Sequence, residues 1–159
     1  SGVTLGVVDR SWLATASEEI PLIVRYATQV DKNSLFHTPP TFAIYLVNLV
    51  LGWIEKQGGL SAMVARNEKK AELLYDAIDG GFYRSPVDPE ARSQMNVVWR
   101  LPSEDLEKQF IAELSKAGFM GLKGHRSVGG IRASIYNAVD PDGVQKLVDF
   151  MGEFRRKNG

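Results

Sequence analysis

Apolar residues recur along this chain at two periods, and the change of period marks out its elements. The run Val3-Thr4-Leu5-Gly6-Val7-Val8 is β-rich and nearly all apolar, which predicts a buried strand. Asp9 to Ile20 is mixed and weakly helical, and Pro21 precedes a short apolar segment, Leu22 to Ala27. Asp31-Lys32-Asn33-Ser34 reads as a turn. A long helix is then predicted, with Thr38 as its N-cap and Pro39 at its first position, ending near Gln57 before Gly58-Gly59. Apolar side chains from Phe42 to Ile54 cover nearly every side of it, the pattern of a helix packed between other elements.

A second helix is predicted over Leu60 to Asp79. Met63, Val64, Ala71, Leu74 and Ile78 form its apolar stripe, while Lys69, Lys70 and Glu72 are expected to face water. Gly80-Gly81 ends it, and Phe82 to Arg92, with Pro86 and Pro89, reads as a loop. Met95 to Leu101 has strand character. Ser103 is placed to cap the next helix, with Glu104 and Asp105 at its positive end and Leu106, Phe110, Ile111 and Leu114 on its buried face. Gly118 closes that helix, and Phe119 to Leu122 is short and strand-like. Ile131 to Tyr136 is another strand. Asp140-Pro141 opens a final amphipathic helix carrying Val144, Leu147, Val148, Met151 and Phe154. From Met95 onward this order predicts a compact α/β unit with helices on one face of a small sheet.

Composition narrows what such a unit does. The 159 residues include 19 Lys plus Arg and 19 Asp plus Glu, so the formal net charge is zero. A neutral chain has no global field to hold a polyanion, which argues against nucleic acid as a partner. Cysteine is absent, so disulfides and thiolate metal sites are excluded, and two histidines without spaced carboxylates make no metal motif. The apolar stretch Phe42 to Ile54 falls short of the roughly 20 residues that span a bilayer, so no membrane partner is expected. The chain opens on a strand-like run without an initiator methionine, which reads as a piece cut from something longer.

Candidate chemistry gathers where acids vanish. From Leu114 to Val139 there is no Asp or Glu, yet the span holds Lys116, Lys123, His125, Arg126 and Arg132. Gly124, Gly129 and Gly130 let the backbone turn sharply there. Strand alternation puts Arg132, Ser134 and Tyr136 on one face and Ile131, Ala133 and Ile135 on the other. An arginine fork matches carboxylate or phosphate, so the segment suits a small anion with two negative ends. A basic surface hairpin is the plainer alternative. A second candidate is His37-Thr38 ahead of the long helix. Pro39 and Pro40 lack N–H groups, so an anion there depends on the Thr38 hydroxyl and on His37. The plainer role for Thr38 is capping alone.

Two stretches carry a resemblance to a known family: Phe36-His37-Thr38-Pro39-Pro40-Thr41-Phe42, and Gly124-His125-Arg126-Ser127-Val128-Gly129-Gly130-Ile131-Arg132-Ala133-Ser134-Ile135-Tyr136-Asn137-Ala138. Together with Lys70-Ala71-Glu72-Leu73-Leu74-Tyr75 and Arg92-Ser93-Gln94-Met95-Asn96-Val97, they resemble the phosphoserine aminotransferases, class V enzymes of the fold type I pyridoxal-phosphate group. The resemblance implies that residues 1–40 are a remnant of the large cofactor-binding domain. Residues 41–159 would be the connecting helix and the C-terminal small domain. It implies a cytoplasmic homodimer that uses pyridoxal 5′-phosphate in serine biosynthesis. The reaction passes an amino group from glutamate to 3-phosphohydroxypyruvate, giving phosphoserine and 2-oxoglutarate. By the same resemblance, Arg132 binds the substrate carboxylate. His125 and Arg126 bind its phosphate from across the subunit interface, and Thr38 with His37 touches the cofactor phosphate. The Schiff-base lysine is expected upstream of Ser1, so this chain alone is expected not to transaminate. A non-catalytic small-anion-binding or interaction domain is the competing reading.

Overall fold

The computed structural model describes residues 2–159, and the chain divides into two compact units, Ser1–Lys56 and Gln57–Gly159. In the first unit, residues 2–9 have no regular secondary structure, and Leu5 and Val7 are exposed. The strand expected over Val3 to Val8 is therefore absent. A strand needs a backbone partner, and among the described residues the one sheet consists of two strands of the second unit. Asp9 starts the single turn α1 (Arg10–Leu13) by accepting from the Ser11 and Trp12 amides. A 3-10 turn at Leu22–Val24 leads into α2 (Tyr26–Asp31).

The long helix α3 spans Thr41–Lys56 and starts later than the sequence pattern predicted. The Ile44 amide donates to the Pro40 carbonyl at 3.0 Å, so the helical ladder begins at Pro40. Thr38 is thus not its N-cap. Each proline disfavours helical geometry in the residue before it. Pro40 therefore disfavours a helical Pro39, and the double proline delays the helix. No residue of α3 is buried, and Phe42 is 73% exposed. The all-round packing expected of this helix is not found among the described residues.

The second unit contains α4 (Gly59–Asp79), β1 (Asn96–Trp99), α5 (Glu104–Lys116), β2 (Ile131–Ser134) and α6 (Pro141–Asn158). β1 and β2 pair antiparallel, from Asn96 opposite Ser134 to Trp99 opposite Ile131. Val97, Trp99, Ile131 and Ala133 all point to the core, where Leu74 and Ile78 of α4, Phe110 and Leu114 of α5, and Met151 and Phe154 of α6 meet them. Phe110 sits at the centre, edge-on to Trp99, Tyr83, Phe150 and Phe154. This is the α/β architecture expected, with helices on one face of a small sheet. Ser103 caps α5 by accepting from the Leu106 amide, and the Asp140 carboxylate caps α6 by accepting from the Asp142 amide. Phe119 to Leu122 is not a strand. Left-handed Gly118 and Gly121 bend the chain around it, and only Lys123 bridges to Ile131.

α4 holds the main surprise. Its buried positions are Met63, Asn67, Lys70, Ala71, Leu74 and Ile78, while Val64 is exposed. Lys70 does not face water; it is fully buried. Its ammonium donates to the carbonyls of Ile135, Tyr136 and Val139 at 3.0, 2.8 and 3.2 Å. Three donors meet three acceptors, which satisfies the group without a carboxylate. Beside it the Asn67 amide donates to Asn137 Oδ1 at 2.8 Å. Burial, helped by the nearby charge of Arg66, pulls the Lys70 ammonium below the usual lysine range. These two polar side chains fill the helical positions between Met63 and Ala71, and they tie α4 to the segment that follows β2.

Candidate functional site

β2 sets the direction of Arg132. Ile131 and Ala133 are buried while Arg132 and Ser134 are half-buried, so Arg132 leaves the sheet on the side away from the core, as alternation predicted. Its Nε is buried and has no partner among the described residues. On the same face Asn96 Oδ1 accepts from the Ser134 hydroxyl at 3.0 Å and the Tyr136 hydroxyl at 3.3 Å. The Arg132 amide donates to the Leu122 carbonyl at 2.8 Å, fixing the strand to the chain entering the preceding loop.

That loop is a closed turn. The Gly124 amide donates to the Gly130 carbonyl at 2.9 Å, and the His125 carbonyl accepts from Val128 and Gly129 at 3.0 and 2.8 Å. His125 Nδ1 and the Ser127 hydroxyl are 2.8 Å apart. Gly129 and Gly130 lie at φ of +73° and +71°, a region L side chains rarely adopt. A side chain at Gly124 would run into the Gly129 carbonyl. The glycines therefore allow a turn too tight for other residues, and it leaves His125 and Arg126 exposed. Ion pairs among the described residues join Arg92 to Asp79, Arg100 to Glu107 and Lys108 to Asp105. None engages His125, Arg126 or Arg132. The second unit thus brings these three residues into one hairpin, free of carboxylates. That arrangement can grip an anion by fork-like and charge-assisted hydrogen bonds.

His37 and Thr38 belong to the first unit and are exposed. His37 Nδ1 lies 3.0 Å from the Thr38 carbonyl. A carbonyl only accepts, so in this contact Nδ1 is the donor and Nε2 is left as an acceptor. The Thr41 amide donates to the Pro39 carbonyl at 2.8 Å, so that helix-start donor is already used. The first unit also holds a cleft of about 490 Å³ lined by Leu13, Leu22, Arg25, Thr28, Asp31 and Phe36 among others. None of the five candidate residues lines it.

The sequence pattern places Lys70 in water and gives no role to Asn67, Arg100 or Glu107. The helical stripe marks positions 67 and 70 as inward once their polarity is ignored. Nothing in the sequence links Arg100 and Glu107 to the loop, because their contact depends on how α5 packs beside β1.

The family model described as Aminotransferase class-V matches residues 11–147. A phosphoserine aminotransferase of Herpetosiphon aurantiacus is 51% identical over 100% of this chain, which covers 45% of that protein. The solved phosphoserine aminotransferase from Bacillus circulans subsp. alkalophilus superposes with a TM-score of 0.88 at 54% identity, over 94% of this chain and 42% of that one. The pyridoxal-phosphate-bound phosphoserine aminotransferase from Trichomonas vaginalis gives a TM-score of 0.78 at 40% identity, over 86% of this chain and 39% of that one. The chain spans a little under half the length of these relatives.

Proposed function

This chain belongs to the class-V aminotransferase family, and on that premise we propose that the protein carrying it exchanges an amino group between glutamate and 3-phosphohydroxypyruvate, giving phosphoserine and 2-oxoglutarate. The observation that carries this reading is the acid-free hairpin whose Arg126 and Arg132 have no carboxylate partner among the described residues. Arg132 grips the substrate carboxylate with its planar fork. His125 and Arg126 hold the phosphate, reaching into the site of a second copy in a homodimer. Fixing both ends of the substrate aligns its Cα–H bond for proton removal.

Pyridoxal 5′-phosphate is the cofactor in this proposal, and when bound it supplies the electron sink for amino transfer. The residues present fit its phosphate end. Thr38 is exposed ahead of a double proline that offers no amides, so its hydroxyl is the natural donor, with His37 exposed beside it. Residues 1–40 are assigned to the cofactor-binding domain, and residues 41–159 to the connecting helix and small domain. The setting proposed is serine biosynthesis in the cytoplasm.

The test is transamination of O-phosphoserine with 2-oxoglutarate by the protein as its gene encodes it. Arg132→Ala is expected to lower kcat/KM about a hundredfold or more, the scale of losing a positioning contact. Binding of O-phosphoserine without turnover, in a protein lacking pyridoxal absorbance, would instead favour a non-catalytic anion-binding domain.

A further inference from the structure

We propose that Arg100 and Glu107 form a positioning device that sets the shape of the 124–130 loop, and through it the phosphate grip of His125 and Arg126. The proposal rests on the phosphate role assigned to those two residues above.

Arg100 follows β1, and its own amide and carbonyl are paired with Arg84 at 2.8 and 3.1 Å, so its backbone is fixed. Its side chain joins two elements. Nε lies 2.7 Å from Glu107 Oε1, and Nη1 donates to the Val128 carbonyl at 2.8 Å. Glu107 is only 7% exposed, and the same Oε1 accepts from the Leu101 amide at 3.3 Å. A buried carboxylate held from two sides orients the guanidinium, and the guanidinium holds the loop.

The loop in turn is shaped to receive it. Arg100 lies against both left-handed glycines: a Cβ at Gly129 would come within 3.0 Å of Nη1, and one at Gly130 within 2.7 Å of Cδ. The Gly124–Gly130 hydrogen bond closes the base of the loop, and the Arg100–Val128 bond pins its far side. His125 and Arg126 lie between those fixings. Glu107 neutralises Arg100, so Arg100 is not the free cation of the site. It acts on an anion through loop geometry rather than by touching it.

The device is tested by substrate discrimination in the protein as its gene encodes it. The readout is kcat/KM for O-phosphoserine divided by that for L-serine, in wild type, Glu107→Gln, Arg100→Lys and Arg126→Ala. Glu107→Gln keeps the shape but removes the charge that orients Arg100. Arg100→Lys keeps the charge but loses the fork that spans Glu107 and Val128. Each is expected to lower the ratio roughly tenfold, within the range a displaced contact costs. A merely structural role would lower the thermal midpoint and both activities together, leaving the ratio unchanged, and that outcome overturns the proposal. If Arg126→Ala lowers the ratio while neither strut variant does, the device is refuted and the phosphate reading stands. If Arg126→Ala leaves the ratio unchanged, the phosphate reading fails and the device with it. Because the two strut variants perturb packing differently, failure of one to fold leaves the other to decide.

Discussion

At Lys70 a charge occupies a place where the helix stripe calls for an apolar side chain, and backbone carbonyls stand in for water around it. The carbonyls of Ile135 and Val139 lie just beyond β2, where the ladder to β1 has ended, and the ammonium supplies donors the sheet no longer offers. Methionine at this position would keep the stem and remove the donors. Lys70→Met is expected to lower the unfolding free energy by about 3 kcal/mol, the cost of leaving two or so buried carbonyls without partners. Urea titration of wild type and variant measures it, and a difference below about 1 kcal/mol would mean that water replaces the ammonium.

Among the elements, the double proline before α3 decides what Thr38 does. Released from a cap, its hydroxyl is free for a ligand. Pro40→Ala is expected to let α3 begin at Pro39 with Thr38 as its cap, adding roughly 1 kcal/mol to the helix. Backbone Cα shifts of residues 39 and 40 would move to helical values; unchanged shifts would refute this account. The same elements explain which parts of the fold were legible in sequence. α5 and α6 were readable because Ser103 and Asp140 announce their starts and a single apolar stripe runs through each. β2 was readable because alternation fixes which way Arg132 points. Thr38 carries a cap signal, but Pro40 disfavours a helical Pro39, a restriction that the signal alone does not show. Lys70 escapes the periodicity because its polarity signals exposure while three backbone carbonyls satisfy it inside. The strand expected at Val3 to Val8 needed a partner, which periodicity cannot supply. The acid-free, glycine-rich loop of His125 and Arg126 is visible in the sequence, whereas its support from Arg100 and Glu107 is a tertiary contact with no local signature.

For the molecule as a whole, the two units differ in how they are held. The second has a continuous buried core, while the named helices of the first contain no buried residue. Local stability follows buried contacts. Limited proteolysis is therefore expected to cut first within residues 2–40 and to leave a resistant product containing residues 57–159, identified by mass spectrometry. Cleavage within α4 or α6 at the same rate would contradict this. Charge is distributed just as unevenly. With the four Lys and Arg of the acid-free span set aside, the rest of the chain carries 15 basic against 19 acidic side chains. The whole chain has no formal net charge, yet its charges are unevenly placed along it. Such a molecule hardly migrates near pH 7 in electrophoresis, yet a small dianion diffusing past the hairpin meets a local well. Salt fills that well from about 8 Å outward at physiological strength, so capture of the anion proposed above is expected to depend on ionic strength even though the protein's mobility does not.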